Sequence, residues 1–199
     1  MGRVVRAVEF IHSHGVIHHD IKPANLIVDQ QGQPRLVDFG TACRHSKDNS
    51  SYNGGTPCYM APEVAEDRHH SFTADYYALG IMTYELFFQK KPYPSVSKDQ
   101  ILSSLMAKPL TPENFPELNS IPTEASQFIQ QVPPPLTQLV QRRPSLRLGH
   151  NGISEITTHP FLNGALKAEE ESGLKSILTS QTSTGSVEES TMEVGERIK

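Results

Sequence analysis

Tryptophan is absent from this sequence, cysteine occurs twice, and neither sign of charge dominates. Each shortage excludes something. The two thiols, Cys43 and Cys58, are too few for a disulfide framework or a cysteine-based metal cluster, so free thiols in a reducing compartment, cytosol or nucleus, are expected. With 18 basic and 22 acidic residues the net charge is −4, which supplies no basic surplus for nucleic acid and no lysine-rich run for an anionic membrane. The longest apolar stretch, residues 76–88, contains Glu85 and is too short to span a bilayer. Residues 1–14 have no continuous apolar core of the secretory kind, and Arg6 stands where a myristoylation motif needs Ser or Thr. A soluble intracellular protein is expected.

What is present begins with periodicity. Val4, Ala7, Val8 and Ile11 recur at helical spacing, and Gly15 stops the run. Residues 26–28 and 35–37 are short β-prone runs around Asp29, Gln30, Gln31 and Gly32, which predicts a hairpin. Residues 41–59 are polar, with a turn at Asn53-Gly54-Gly55, and read as a mobile loop. Thr73 can cap a helix running to about Phe87, apolar on nearly every face and therefore buried. Ser97 with Gln100 has the form of a capping box, and Ile101, Leu102, Leu105 and Met106 supply the apolar face of the helix it opens. A weaker helix after Thr123 contains Ala125, Phe128 and Ile129 and runs into the triple proline 133–135, which must break it. From Gly164 the composition turns polar, with three glutamates at 169–171, and disorder is expected. No internal repeat is visible.

Three blocks carry chemistry: H-H-D-I-K-P-A-N at residues 18–25, D-F-G at 38–40 and A-P-E at 61–63. Each is common alone, but their order and intervals together resemble the eukaryotic protein kinases, specifically the large C-terminal lobe, up to about Leu162. The resemblance implies an α+β, mainly α fold: a kinase-like C-lobe over residues 1–162 with a small catalytic β-hairpin, then a polar tail over 163–199. It also assigns roles. Asp20 matches the catalytic aspartate that receives the substrate hydroxyl's proton, and Lys22 the lysine that neutralises the transferring phosphate. Asn25 and Asp38 match the magnesium ligands, a hard-oxygen set suited to that ion, and Ile27 the residue beneath the adenine of ATP. The cofactors implied are ATP and Mg2+, and the partner is a protein substrate. Lys22 with Pro23, and Gly55-Thr56-Pro57 ahead of A-P-E, match the serine/threonine form, in which Thr56 meets the catalytic Asp and Lys inside the substrate loop.

Other matches are architectural. Asp75 resembles a buried aspartate that fixes the backbone of the catalytic loop. Arg147 resembles the arginine that pairs with the glutamate of A-P-E, here Glu63, a pair costly to break from one side. His18 and Phe39 resemble part of an apolar column, and His159-Pro160-Phe161 the close of the last helix. His19 departs from the pattern, replacing an arginine that gathers a phosphorylated loop, and would bind phosphate weakly near neutral pH. Ala24 stands where kinases directed to basic substrates often carry Glu. Residues 132–138 read as an insertion into a helix. The other histidines, His12, His14, His45, His69, His70 and His150, show no convergent metal spacing and are expected mostly on surfaces or loops.

The resemblance further calls for a glycine-rich loop and a V-A-I-K lysine, which this sequence does not contain. The N-lobe is therefore expected to be absent, with apolar surface exposed around Ile27, Val37 and Phe39 and little or no turnover by the chain alone. A different class of function competes: a catalytically dead lobe that binds an intact kinase, a missing N-lobe or substrates through the loop near Thr56 and the helix after Ser97.

Overall fold

The structure, a computed structural model, describes residues 1–94, 96–130 and 139–163. The expected insertion at 132–138 and the tail from residue 164 lie outside the described residues. Among the described residues, five helices and four very short strands are arranged around one long central helix, with intervening 3-10 turns.

That central helix, α3 (Thr73–Phe88), is buried at every position from Thr73 to Tyr84, as its uniformly apolar sequence requires. A β-carbon on Gly80 would lie 2.6 Å from Val140 and 2.8 Å from Leu139, so a glycine there lets the 139–140 segment close on the helix centre. Thr73 is not its cap. Phe72 occupies that position without a side-chain hydrogen bond, and Thr73 is the first helical residue.

Helix α1 (Gly2–Ser13) buries Gly2, Val4, Val5, Val8 and His12. The inward face is thus rotated from the expected one, leaving Ala7 and Ile11 half-buried. Helix α4 (Lys98–Ala107) is capped by Ser97, whose hydroxyl accepts the Gln100 N–H, while the Gln100 side chain accepts from the Val96 N–H. Ile101 and Leu105 face inward, but Met106 is 75% exposed and does not belong to that face. Helix α5 (Thr123–Ile129) ends with Gln130 in extended backbone, ahead of the prolines expected to break it.

A hairpin pairs β2 (Leu26–Val28) with β3 (Pro34–Leu36) in the antiparallel register Leu26↔Leu36, Ile27↔Arg35, Val28↔Pro34, the second strand starting one residue earlier than expected. Asp29 organises its turn, accepting from the Gln31 and Gln33 amides at 3.0 and 2.8 Å and from Arg35 at 2.8 Å. A second small pairing joins β1 (Val16–Ile17) to β4 (Cys43–Arg44), inside the segment read as a mobile loop. Buried Asn49 holds that segment, its amide donating to Cys43 Sγ and the Arg44 carbonyl, both at 3.2 Å. Cys43 and Cys58 are free and buried, and burial pushes both thiols above their ordinary pKa.

Two short helices complete the frame, α2 (Pro62–Ala65) and α6 (Ser154–Thr157). Fully buried Arg147 makes a two-pronged contact with Glu63 of α2, at 2.5 and 3.0 Å, and also donates to the Thr73 and Gln141 carbonyls. These partners saturate the guanidinium, which makes so dry an ion pair tolerable. Among the described residues no helix is long and apolar enough to cross a membrane.

Candidate active site

The loop after β1 turns sharply because His19 adopts a left-handed backbone, φ 68°. Asp75 of α3 holds that turn: one carboxylate oxygen accepts the His18 N–H at 2.8 Å and the other the His19 N–H at 2.9 Å. His12 of α1 adds a third hydrogen bond to Asp75, at 2.8 Å, and meets the Tyr76 hydroxyl at 3.1 Å. Burial disfavours the charge on Asp75, but the bond and proximity of His12 and the two backbone N–H groups outweigh it, holding the carboxyl below its ordinary pKa.

Most of these histidines are expected on surfaces or loops, but His12 is a buried strut beneath the loop, on the face of α1 that also buries Val4 and Val8. The signal was available: 4, 8 and 12 lie one above another on a helix, so His12 shares the Val4 and Val8 face. His70 is likewise buried, while His14, His45, His69 and His150 are exposed as expected. His18 is fully buried, its Nε2 on the Val37 carbonyl at 3.2 Å and its ring 4.9 Å, edge-on, from that of Phe39. Those contacts tie the loop to the hairpin's outgoing strand.

Asp20 is the centre of the polar cluster. Its Oδ1 accepts from the Thr56 amide at 2.9 Å and the Thr56 hydroxyl at 2.7 Å. Its Oδ2 accepts from Lys22 Nζ at 2.7 Å and Asn25 Nδ2 at 3.0 Å. Lys22 Nζ also donates to the Thr56 hydroxyl, at 2.7 Å, so that hydroxyl lies between an ammonium and a carboxylate. Burial works against the Asp20 charge, yet the bonds from Lys22 and Thr56, the lysine's charge and the Asn25 amide together hold Asp20 below the ordinary carboxylate range. Gly55 makes this approach possible. At φ 111°, a β-carbon there would sit 2.4 Å from the His19 carbonyl oxygen.

Asn25 is fixed by donating to the Asp20 carbonyl at 2.8 Å as well as to its carboxylate, and its own carbonyl accepts the Val37 N–H at 3.0 Å. Asp38 follows Val37 in left-handed backbone, φ 63°, exposed, with one oxygen accepting from the Gly40 amide at 3.2 Å. The structure thus brings Asp20, Lys22, Asn25 and Thr56 into direct contact and sets Asp38 on the chain next to Asn25's partner. Ile27 lies on β2, 57% exposed. Val28 and Phe39 are also exposed, at 66% and 47%, while Val37 is half-buried, so the expected apolar surface includes Val28 in place of Val37.

Comparison with known proteins gives this geometry a family. Residues 1–162 match the protein kinase domain. The chain is 36% identical over 165 residues to human cGMP-dependent protein kinase 2, covering 81% of this chain and 20% of that one. Against the serine/threonine protein kinase ypkA of Aspergillus fumigatus, identity is 34% over 157 residues, or 78% of this chain and 23% of the relative. A probable cAMP-dependent protein kinase catalytic subunit of Encephalitozoon cuniculi is 31% identical over 161 residues, covering 81% and 46%. The chain therefore spans about a fifth of the length of its cGMP-dependent relative.

Proposed function

The chain belongs to the protein kinase family, and we propose that it forms the large lobe of a serine/threonine kinase, acting on protein Ser/Thr hydroxyls with ATP and magnesium. The observation that carries this reading is the Thr56 hydroxyl, clasped between the Asp20 carboxylate and the Lys22 ammonium. A site that holds one aliphatic hydroxyl in this way has the polarity and reach to hold a second, from a substrate.

Asp20 orients the attacking hydroxyl by accepting its hydrogen bond. Held below the ordinary carboxylate range, it is a weak base toward a free alcohol, and takes the proton only as the oxygen bonds to phosphorus and its acidity rises. Lys22 places a positive charge 2.7 Å from the same carboxylate, where it offsets charge on the transferring phosphoryl group. Asn25 and Asp38 fit a magnesium ion. Both amide protons of Asn25 point toward Asp20, which leaves its amide oxygen as donor, and Asp38 adds an exposed carboxylate, so both ligands are hard oxygens. When bound, such an ion supplies charge neutralisation to the phosphates. Exposed Ile27 offers an apolar floor for an adenine. The compartment proposed is reducing, cytosol or nucleus.

The 199 residues contain no glycine-rich loop and no V-A-I-K lysine, and phosphoryl transfer depends on positioning. Turnover by the isolated chain is expected to be negligible. The test is to place the small lobe of a related kinase ahead of Met1 and assay phosphorylation of serine/threonine peptides. Transfer that appears in the fusion and disappears with Asp20→Asn supports the reading. A folded fusion that binds nucleotide without transfer contradicts it. It would favour the second reading, a regulatory lobe that docks on an intact kinase, which the exposure of Ile27, Val28 and Phe39 also supports.

A further inference from the structure

His19 and His70 face each other edge-on, with ring centroids 4.8 Å apart and their Nε2 atoms at 2.8 Å. The Nδ1 atom of each ring lies against a backbone carbonyl: Thr41 at 3.1 Å for His19, Arg68 at 2.9 Å for His70. Carbonyl oxygens only accept, so both Nδ1 atoms carry a proton. A neutral imidazole has one proton, and here each ring has already placed it. Two neutral rings would therefore aim lone pairs at each other across hydrogen-bond distance. The contact requires a third proton.

We propose that His19 and His70 share one proton between their Nε2 atoms, an imidazolium–imidazole bridge that fastens the segment after α2 to the candidate active site. The location gives it leverage. His19 immediately precedes Asp20, Thr41 follows the D-F-G block, and His70 is buried in the chain leaving α2. One proton thus joins three segments that build the site. His19 also fills the place where the kinase resemblance calls for a phosphate-gathering arginine, and here its ring has His70 as partner. This regulatory meaning rests on the kinase reading, whereas the bridge itself does not.

The surroundings set where the proton binds. Burial, the largest influence on His19, weakens its hold on a proton, and His70 and His18 weaken it further, against Asp75 of α3 and the Thr41 carbonyl. The balance holds His19 below its ordinary value. Around His70, Asp48 lies within electrostatic reach with His69 4.0 Å from it, and Arg68, whose carbonyl meets the His70 ring, has its guanidinium paired with Glu66. The bridge therefore forms on the acid side of histidine's ordinary pKa of about 6.5. It opens as the pH rises and the lone pairs repel. Among the described residues no third His, Cys, Asp or Glu joins the pair in a metal-holding group, and 2.8 Å is a hydrogen-bond distance, so a shared proton fits better than a metal ion.

The test is a histidine side-chain NMR titration of the full chain between pH 5 and 8, with no nucleotide or substrate, so its outcome is separate from that of the kinase assay. His19 and His70 should titrate in one shared step, with both Nδ1 atoms protonated throughout. Amide exchange at Arg68 and Thr56, whose N–H groups donate to the Glu63 carbonyl and the Asp20 carboxylate, should quicken about tenfold beyond the intrinsic base-catalysed rise on the alkaline side of that step, the effect of one lost hydrogen bond. In His70→Gln, an amide can donate to the His19 lone pair without a third proton, so the shared step should vanish while His19 stays neutral. The wild-type titration decides the matter even if that variant folds poorly. Independent steps for the two rings, an Nε2-protonated neutral tautomer on either, or a pair that responds to Zn2+ and not to pH would overturn the proposal.

Discussion

Two regions of this molecule hold their polar groups in opposite ways. Beneath the catalytic-type loop, Asp75 and the Glu63–Arg147 pair are sealed from solvent, with every charged oxygen answered by a named donor. At the hairpin edge, Asp38, Ile27, Val28 and Phe39 are exposed. The first arrangement fixes a backbone. The second presents groups that, in a kinase, would meet nucleotide, metal and a covering lobe. Stability and function thus draw on different residues, and substitutions should separate them.

The largest effect is expected from the sealed region. Glu63→Ala leaves the Arg147 guanidinium buried without its carboxylate and should cost about 3–5 kcal/mol by chemical denaturation. Replacing both partners with apolar residues of similar volume should cost much less, and an equal loss would show that the charges were not the cause. Asp75→Asn comes next. It removes the charge and at least one acceptor from the His12, His18 and His19 set, for about 2–3 kcal/mol. The same group predicts a pH response. Because its folded pKa is depressed, Asp75 contributes fully above the ordinary carboxylate value of about 3.9, and that contribution is lost as the pH falls through the lower folded value. An acid limb that is unchanged in Asp75→Asn would contradict this.

Gly55→Ala should cost about 1–3 kcal/mol, since a left-handed residue is forced against the His19 carbonyl. Its sharper signature is local: with Thr56 displaced, the Asp20 carboxyl should move back toward its ordinary pKa. At the hairpin edge Ile27→Ser should change stability by no more than about 0.5 kcal/mol by chemical denaturation. A large loss of stability there would erase the contrast between the regions.

Much of the site was legible in the sequence, because residues close along the chain carry most of it. Asp20, Lys22 and Asn25 fall within one tight loop, and the Thr56 contact follows from the register of A-P-E. Asp75 and Arg147 were legible only through the family resemblance, since nothing local marks a partner dozens of residues away. What stayed hidden depends on long-range fit. The His12–Asp75 link spans 63 residues and the His19–His70 contact 51. Two-residue strands such as β1 and β4 are too short to show alternation. The outward position of Met106 on α4 was also hidden, because a four-residue apolar set does not say which edge of a stripe meets the core.

In the proposed site Asn25 and Asp38 take the metal end of a nucleotide, with Asp20 and Lys22 beside it. Manganese in place of magnesium localises that end directly, because its unpaired electrons broaden the NMR signals of nearby nuclei. On titration of the isolated chain with manganese-ATP, the amides of Asn25, Asp38 and Gly40 should broaden first, and Asp38→Ala should abolish the effect. Broadening concentrated elsewhere, or unchanged in that variant, would contradict the account.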